Sequence, residues 1–227
     1  MAERPYVLLS VATSIDGYID DTSSQRLLLS NAADFDRVDQ VRAESDAILI
    51  GGNTLRSDNP RLLVNSDKRR ADRVAAGKPE YPLKVTVTGS GDLDRDLKFW
   101  HFGDRKVVYT TDAGALKLRD RLDGLADVVS TGDTADFGVM LEDLATRGVK
   151  RLMVEGGGQI HTQFLAQGLA DEIHLAVAPL LVGEAGAPRF VHPAEFPGGS
   201  TRRMQLLGAE TVGDVVLLRY APKEASA

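Results

Sequence analysis

Residues 154–173 read VEGGGQIHTQFLAQGLADEI. This stretch decides the fold because its hydrophobic pattern changes at three consecutive glycines. Upstream, RLMV (Arg151–Val154) is a short apolar run of strand type. Downstream, the pattern predicts a helix from Gln159 to Gln167. It would end at Gly168, the residue type that best accepts a left-handed cap. Glycines are costly to order, so three of them at a strand-to-helix junction need a physical reason. In an open α/β sheet such a junction lies at the carboxyl ends of the strands, where ligands bind. Its backbone N–H groups and the positive end of the helix suit a phosphate. A tight turn is the plainer explanation.

The same punctuation occurs earlier, in ILIGGNTL (Ile48–Leu55), where a strand over Ala47–Gly52 ends on two glycines. Further strands are predicted at Tyr6–Ala12, Val85–Gly89, Lys106–Thr110, Asp127–Thr131 and Glu172–Val182. Helices are predicted from Ser30 or Asn31 to Glu44, with Phe35, Val38 and Val41 on one face, and over Leu116–Leu125 and Phe137–Arg147. Asn65–Pro82 reads as an exposed loop or short helix. The final RMQLLGAETVGDVVLLRYA (Arg203–Ala221) reads as a hairpin turning near Gly213-Asp214. Strands alternating with helices imply an α/β fold with a mostly parallel sheet covered on both faces. No linker divides the chain, so a single domain over 1–227 is expected, with loose tails at 1–5 and 222–227.

The 227 residues carry a formal net charge of −6 and no cysteine. Disulfides, thiol catalysis and cysteine-bound metals are thereby excluded. The acidic balance disfavours nucleic acid as a partner. No apolar run approaches the roughly 18 residues of a membrane span, and the N-terminus lacks a signal-peptide layout; a cytoplasmic protein away from the membrane is expected. His101, His161, His174 and His192 have no metal-ligand spacing and read as surface or partly buried histidines, so no metal is expected. The dinucleotide fingerprint G-x-G-x-x-G is missing after the first strand, and GSGDLD at Gly89 departs from it. Neither a P-loop nor a G-x-S-x-G elbow occurs. The charged run Asp67–Arg73 reads as a solvated loop. Arg42, Arg56 and Arg61 flank the first glycine pair and are candidate anion ligands. Two carboxylates lie near the glycine turns: Asp58, and Glu155 at the end of an apolar strand, where an acid is unexpected unless paired.

Three blocks in order, SIDG (Ser14–Gly17), VRAESDAILIGGNTLRSDNPRL (Val41–Leu62) and LMVEGGGQIHTQFLAQGLADEIHLAVAPLLVG (Leu152–Gly183), resemble the reductase domain of riboflavin biosynthesis. The resemblance implies a dihydrofolate-reductase-like fold, a mixed, mostly parallel central sheet flanked by helices, here with an antiparallel C-terminal hairpin. It implies NADPH as cofactor and reduction of 5-amino-6-(5-phosphoribosylamino)uracil, or its 2,5-diamino-pyrimidinone analogue, to the ribitylamino product. It also implies a homodimer. Without cysteine the zinc deaminase half found in bifunctional relatives is not expected.

Carried over by position, Ala12 and Thr13 line the nicotinamide side, Thr54 and Asp58 contact the cofactor, and Gly89 lies at the adenosine end. Gly157, Gly158, Gln159, Ile160, His161, Thr162 and Gln163 take the pyrophosphate; the glycine-turn reading adds Gly52 and Gly156. On the substrate side stand Arg42, Leu62 and Glu155, with Ser30 and Arg61 as neighbours. Asp58 and Glu155 are the candidates to orient or protonate the substrate, and Arg105-Lys106 to meet a 2′-phosphate. The chain departs from the family where LLLS replaces a W-I-T-S stretch, at Leu27, and where Asn65 replaces a phosphate-binding arginine, which Arg61 or Lys68–Arg70 would have to replace. These departures keep two other readings open. One is a pteridine, dihydrofolate or other imine or carbonyl reductase on the same fold; the other is a non-catalytic NADPH-binding protein.

Overall fold

The computed structural model describes residues 4–222; the tails expected at 1–5 and 222–227 fall largely outside them. The strands are β1 (Tyr6–Thr13), β2 (Ala47–Gly51), β3 (Leu83–Thr88), β4 (Lys106–Thr110), β5 (Asp127–Ser130), β6 (Arg151–Gly156), β7 (Glu172–Val177), β8 (Gln205–Val212) and β9 (Val215–Ala221). The helices are α1 (Ala32–Glu44), α2 (Gly52–Asp58), α3 (Asp67–Ala75), α4 (Lys98–His101), α5 (Asp112–Arg121), α6 (Phe137–Thr146) and α7 (Gly158–Ala166). The nine-stranded sheet has the order β5-β4-β3-β2-β6-β1-β7-β9-β8. The mixed, mostly parallel α/β sheet read from the sequence is therefore present. Contacts divide the chain into two compact units. One is Asp39–Met153 with the N-terminal stretch through Tyr6, the other Val7–Val38 with Val154–Ala227.

In the first unit β2, β3, β4 and β5 pair in parallel, Gly51 opposite Val87, Thr88 opposite Thr110, and Thr110 opposite Ser130. Every residue of β2 and β3 is buried, as expected of parallel strands covered on both faces. Ile48, Ile50 and Val108 pack with Leu55 of α2, Phe99 and Trp100 of α4, and Leu118 of α5. Each such side chain contributes about 1.5–3 kcal/mol on burial. Helices α3, α5 and α6 start where the sequence offers caps: Ser66, Thr111 and Asp136 accept from Arg69, Gly114 and Val139 N–H.

In the second unit β1 and β7 run parallel, from Leu8 opposite Glu172 to Thr13 opposite Val177. The antiparallel strands β9 and β8 follow. Their turn is Gly213-Asp214, as read, and it seats Asn31. The Asn31 amide donates to Val212 O and Asp214 Oδ1, both at 2.7 Å, while its Oδ1 accepts Asp34 N–H at 2.9 Å. One side chain thus caps α1 and holds the hairpin.

Some expectations are corrected. Phe35 is 48% exposed, because Asp34 and Asp39 take buried positions on α1; Val41 is buried as expected. The helix placed at Leu116–Leu125 begins at Asp112, since Thr111 caps it. The strand over Glu172–Val182 ends at Val177 and is internal, flanked by β1 and β9. The edge strands of the sheet are β5 and β8, and β8 is the more exposed. Asp67–Arg73 lies within α3, the short-helix alternative read for Asn65–Pro82 and not the solvated loop read for the run itself, and Gly52 starts α2 rather than ending β2. The four residues of α4 are too few to show a period.

Gly91 tests the packing of the loop after β3. It has φ +65°, and a Cβ there would lie 2.6 Å from Gly114 Cα. Gly89 has open space around it. Gly91→Ala is expected to cost about 2–3 kcal/mol and to lower Tm by roughly 4–12 °C. Gly89→Ala should leave the thermal melt within about 0.5 kcal/mol of wild type.

Candidate active site

In the second unit, buried Val154 of β6 leads to Glu155, which is half-buried. Gly156 follows at φ +139°, and the Gly156–Gly157 peptide is cis. Gly157 is the N-cap of α7 and makes no side-chain cap bond; its carbonyl accepts from Ile160 and His161 N–H at 3.0 and 3.1 Å. A helix start with no side-chain oxygen over it suits an anion. Gln159 and Gln163 are exposed, Ile160 is half-buried, and Thr162 is buried with its hydroxyl donating to Gly158 O at 2.6 Å.

Gly158 has a second duty. A Cβ there would lie 2.2 Å from the Arg189 carbonyl oxygen and 3.0 Å from His192 Nε2. The segment carrying those residues is fastened by His192 N–H, which donates to Thr162 Oγ1 at 2.9 Å. Arg189 then reaches the SIDG turn, donating to Tyr18 Oη at 2.7 Å and Asp16 O at 3.2 Å, with its guanidinium 4.1 Å from the Tyr18 ring centre. Asp16 itself accepts from the Ser14 hydroxyl and from Val182 and Gly183 N–H. The Ser14 hydrogen bond above all, with those backbone donors, holds the Asp16 carboxyl below its ordinary range. SIDG is therefore a clasp, and Ala12 and buried Thr13 lie at the strand end just before it. Arg189 and His192 were missed by sequence reasoning because no periodicity marks their irregular segment.

His161 was expected at the surface or partly buried. It is fully buried, its two ring nitrogens have no hydrogen-bond partner among the described residues, and its ring meets Phe190 at 5.3 Å. Burial pushes its pKa down to about 4, so the ring is neutral. Its backbone N–H, not its ring, belongs to the helix start.

Ser30 precedes α1 and donates to Asp34 Oδ2 at 2.5 Å. Asp34 is fully buried and pairs with Arg37 Nε at 2.7 Å. Arg37 Nη1 lies 3.5 Å from His174 Nδ1, and His174 Nε2 lies 2.9 Å from Glu172 Oε1. This polar chain gives Ser30 a fixed orientation; sequence reasoning had not singled out Asp34 or Arg37.

In the first unit, Gly52 sits where a Cβ would be 3.0 Å from Thr88 Cβ and 3.1 Å from Val87 O. The ends of β2 and β3 approach through it, bringing Gly52, half-buried Thr54 and exposed Gly89 to the same strand ends. Asp58 lies at the far end of α2, exposed, accepting from the Ser57 hydroxyl at 2.6 Å. Arg105 and Lys106 do not join this group. Lys106 pairs across from Lys84, four residues before Thr88 and Thr110, about 13 Å back along the strands. Arg42 Nη1 donates to Leu63 O at 2.9 Å, which puts Arg42 beside Arg61 and Leu62. Leu62 is buried at φ 52°, whereas Arg61 is exposed with its guanidinium 5.6 Å from the Phe102 ring centre.

The charged cluster near Asn65 is committed elsewhere. Lys68 pairs with Asp72, Arg69 with Asp39, and Arg70 with Asp67 and Glu80. Arg70 also donates to Val64 O and Asn65 O, and Asn65 N–H donates to Asp39 at 2.5 Å. Of the two replacements considered for the missing arginine, Arg61 has no ion pair among the described residues. Among those residues no three His, Cys, Asp or Glu side chains are placed to hold a metal, and no helix is long and apolar enough to cross a membrane.

Each unit of this α/β protein thus has a glycine turn at a strand end that opens a helix without a side-chain cap, an arrangement that leaves backbone N–H groups open to an anion. Residues 5–218 match the family described as the RibD C-terminal domain, and the chain belongs to that family. It is 36% identical over 186 residues to the 2,5-diamino-6-ribosylamino-4(3H)-pyrimidinone 5′-phosphate reductase of Archaeoglobus fulgidus, covering 82% of this chain and 85% of the relative. The protein of the same name from Methanothermobacter thermautotrophicus is 30% identical over 222 residues, covering 97% and 99%. Among solved structures, Acinetobacter baumannii RibD superposes with a TM-score of 0.80 at 23% identity, over 97% of this chain and 59% of that one. A pyrimidine reductase-like protein of Corynebacterium diphtheriae gives 0.78 at 20% identity, over 97% and 93%. These superpositions show the shared fold.

Burial of His161 predicts an acid-sensitive fold. Its folded pKa of about 4 lies below the ordinary 6.5, so the unfolded chain binds the extra proton first. Stability from this group is full above pH 6.5 and is lost as pH falls towards 4, by up to about 3 kcal/mol. Urea melts from pH 7 to 4 should show a shallower decline for His161→Leu than for wild type.

Proposed function

We propose that this chain is the NADPH-dependent reductase that converts 2,5-diamino-6-ribosylamino-4(3H)-pyrimidinone 5′-phosphate to its ribitylamino product. The carrying observation is the relatives of that name, matched over up to 97% of this chain and 99% of their own length. The uracil analogue is the second substrate to test. Residues 1–227 act as one reductase domain, in the cytoplasm. They form a homodimer, and its interface includes β8, where Leu206 and Leu207 are 54% and 39% exposed on an edge strand.

The residues present fit a nicotinamide dinucleotide. In the second unit, Gly156, Gly157 and Gly158 and the uncapped start of α7 through Gln163 take its pyrophosphate, with Ala12 and Thr13 beside the nicotinamide. In the first unit, Gly52, Thr54 and Asp58 contact it and Gly89 leaves room at the adenosine end. When bound, the cofactor supplies hydride to the imine carbon of the ring-opened ribosyl group. Arg61 clamps the substrate phosphate and Arg42 a polar substrate group. Leu62 gives an apolar contact and Ser30 a hydroxyl oriented by Asp34. Glu155 and Asp58 orient the substrate and serve the imine nitrogen, which must gain a proton as its carbon is reduced.

Purified protein is expected to oxidise NADPH when given the pyrimidinone phosphate, followed at the nicotinamide absorbance. A panel of the uracil analogue, dihydrofolate and a pterin sets the specificity. No turnover of any phosphorylated pyrimidine by folded protein would sink the reading. Gly157→Val should raise the NADPH Kd about tenfold or more with a nearly unchanged melting temperature, measured by titration calorimetry and thermal melts.

A further inference from the structure

Lys84 lies in the middle of the first unit, wholly buried in β3. A lysine is rarely buried there without a partner, because desolvating an ammonium is costly. Its Nζ donates to the Arg61 carbonyl at 2.7 Å and to the Phe99 carbonyl, and lies 4.4 Å from the Phe99 ring centre. Burial first, and then the neighbouring Lys106, push its pKa down to about 7. Lys106 turns away and donates to Gly103 O at 2.9 Å, so it cannot replace Lys84.

The turn above Lys84 needs holding. Asn59 and Leu62 have φ of 42° and 52°. For a branched residue such as Leu62 the left-handed region costs about 1–2 kcal/mol. Asn59 is tied to the start of α4 by its Oδ1, which accepts Lys98 N–H at 2.7 Å. Lys84 ties the other end, at the peptide between Arg61 and Leu62, to Phe99 of the same helix. The ammonium is thus the fixed point beneath the one exposed arginine in this turn.

We propose that Lys84 is a positioning residue for substrate binding: its ammonium holds the Asn59–Leu62 turn in the backbone course that presents Arg61 to the substrate phosphate. The proposal rests on the reading of Arg61 as the phosphate clamp. An apolar side chain in an all-buried strand would avoid the desolvation cost of this ammonium, and the hold on the turn accounts for lysine at this position.

The test is a set of substitutions read by steady-state kinetics. Lys84→Met keeps the stem but removes donors and charge. It should raise KM for the pyrimidine phosphate about tenfold or more while kcat and the NADPH KM stay within about twofold. The chain has no cysteine, so Lys84→Cys can be alkylated uniquely. Aminoethylation of the unfolded chain followed by refolding restores an ammonium and should restore KM; alkylation with a propyl group should not. An unchanged KM in folded Lys84→Met, or equal rescue by both alkyl groups, overturns the proposal. If these variants do not fold, the wild type decides. With lysines labelled at Cε, the carbon resonance titrating near neutral pH should shift on saturation with phosphorylated substrate and not with its dephosphorylated form; no such difference overturns the proposal. Wild-type inactivity on every phosphorylated pyrimidine overturns the functional reading itself, whereas active wild type with an unaltered variant overturns only the role of Lys84.

Discussion

Much of the second unit depends on one close approach, the Gly158 α-carbon against the Arg189 carbonyl. No side chain fits there. Because the two backbones touch, α7 carries the irregular segment around Arg189 on its flank. That segment carries the guanidinium which closes over Tyr18 and the Asp16 carbonyl. Asp16 in turn fixes the backbone at Val182 and Gly183. The glycine triplet therefore leaves a helix start without a side-chain cap on one side and makes a structural contact on the other. Gly156 is needed for its backbone conformation, at φ +139°, and Gly158 for packing against the Arg189 carbonyl.

The first unit solves a different problem, the backbone groups of its connections. Buried cations answer to carbonyls. Arg73 donates to Ala43, Ser45 and Pro79 carbonyls, and Lys84 to those of Arg61 and Phe99. Acids answer to amides: buried Asp39 takes Asn65 and Ser66, and half-buried Asp46 takes Lys150 and Arg151. For Asp46 the desolvation that would raise its pKa is outweighed by Lys78 and these amides, so its carboxyl lies below the ordinary range. Charged side chains thus do for the loops what ladder hydrogen bonds do for strands.

Strands were the most legible part of the sequence. Apolar runs such as Ala47–Gly51 and Lys106–Thr110 read directly as buried strands. Helix starts were legible where a cap was read, at Asn31, and misplaced where Thr111 was overlooked. The glycine turns pointed to strand ends correctly, since Gly52 and Gly156 stand there. What could not be read were partners remote in sequence: Arg189 on Tyr18, Lys84 under Arg61, Asp34 behind Ser30. Their side chains have no local period, and their significance lies entirely in what the fold brings beside them. Arg105-Lys106 shows the same limit: adjacency in sequence to a strand does not say which end of it a residue takes, and Lys106 stands opposite Lys84, at the other end from Thr88 and Thr110.

Chain order adds a constraint on biosynthesis. The Val7 amide finds its carboxylate at Asp171, 164 residues later, and β1 pairs with β7 along its length. The first unit is nearly continuous, Asp39–Met153. As the chain leaves the ribosome at about 5–20 residues per second, that unit can assemble while β1 waits roughly 8–30 s for its partner strand. During this interval an apolar strand is exposed on the nascent chain, so slow translation after Met153 prolongs its exposure to chaperones and to aggregation.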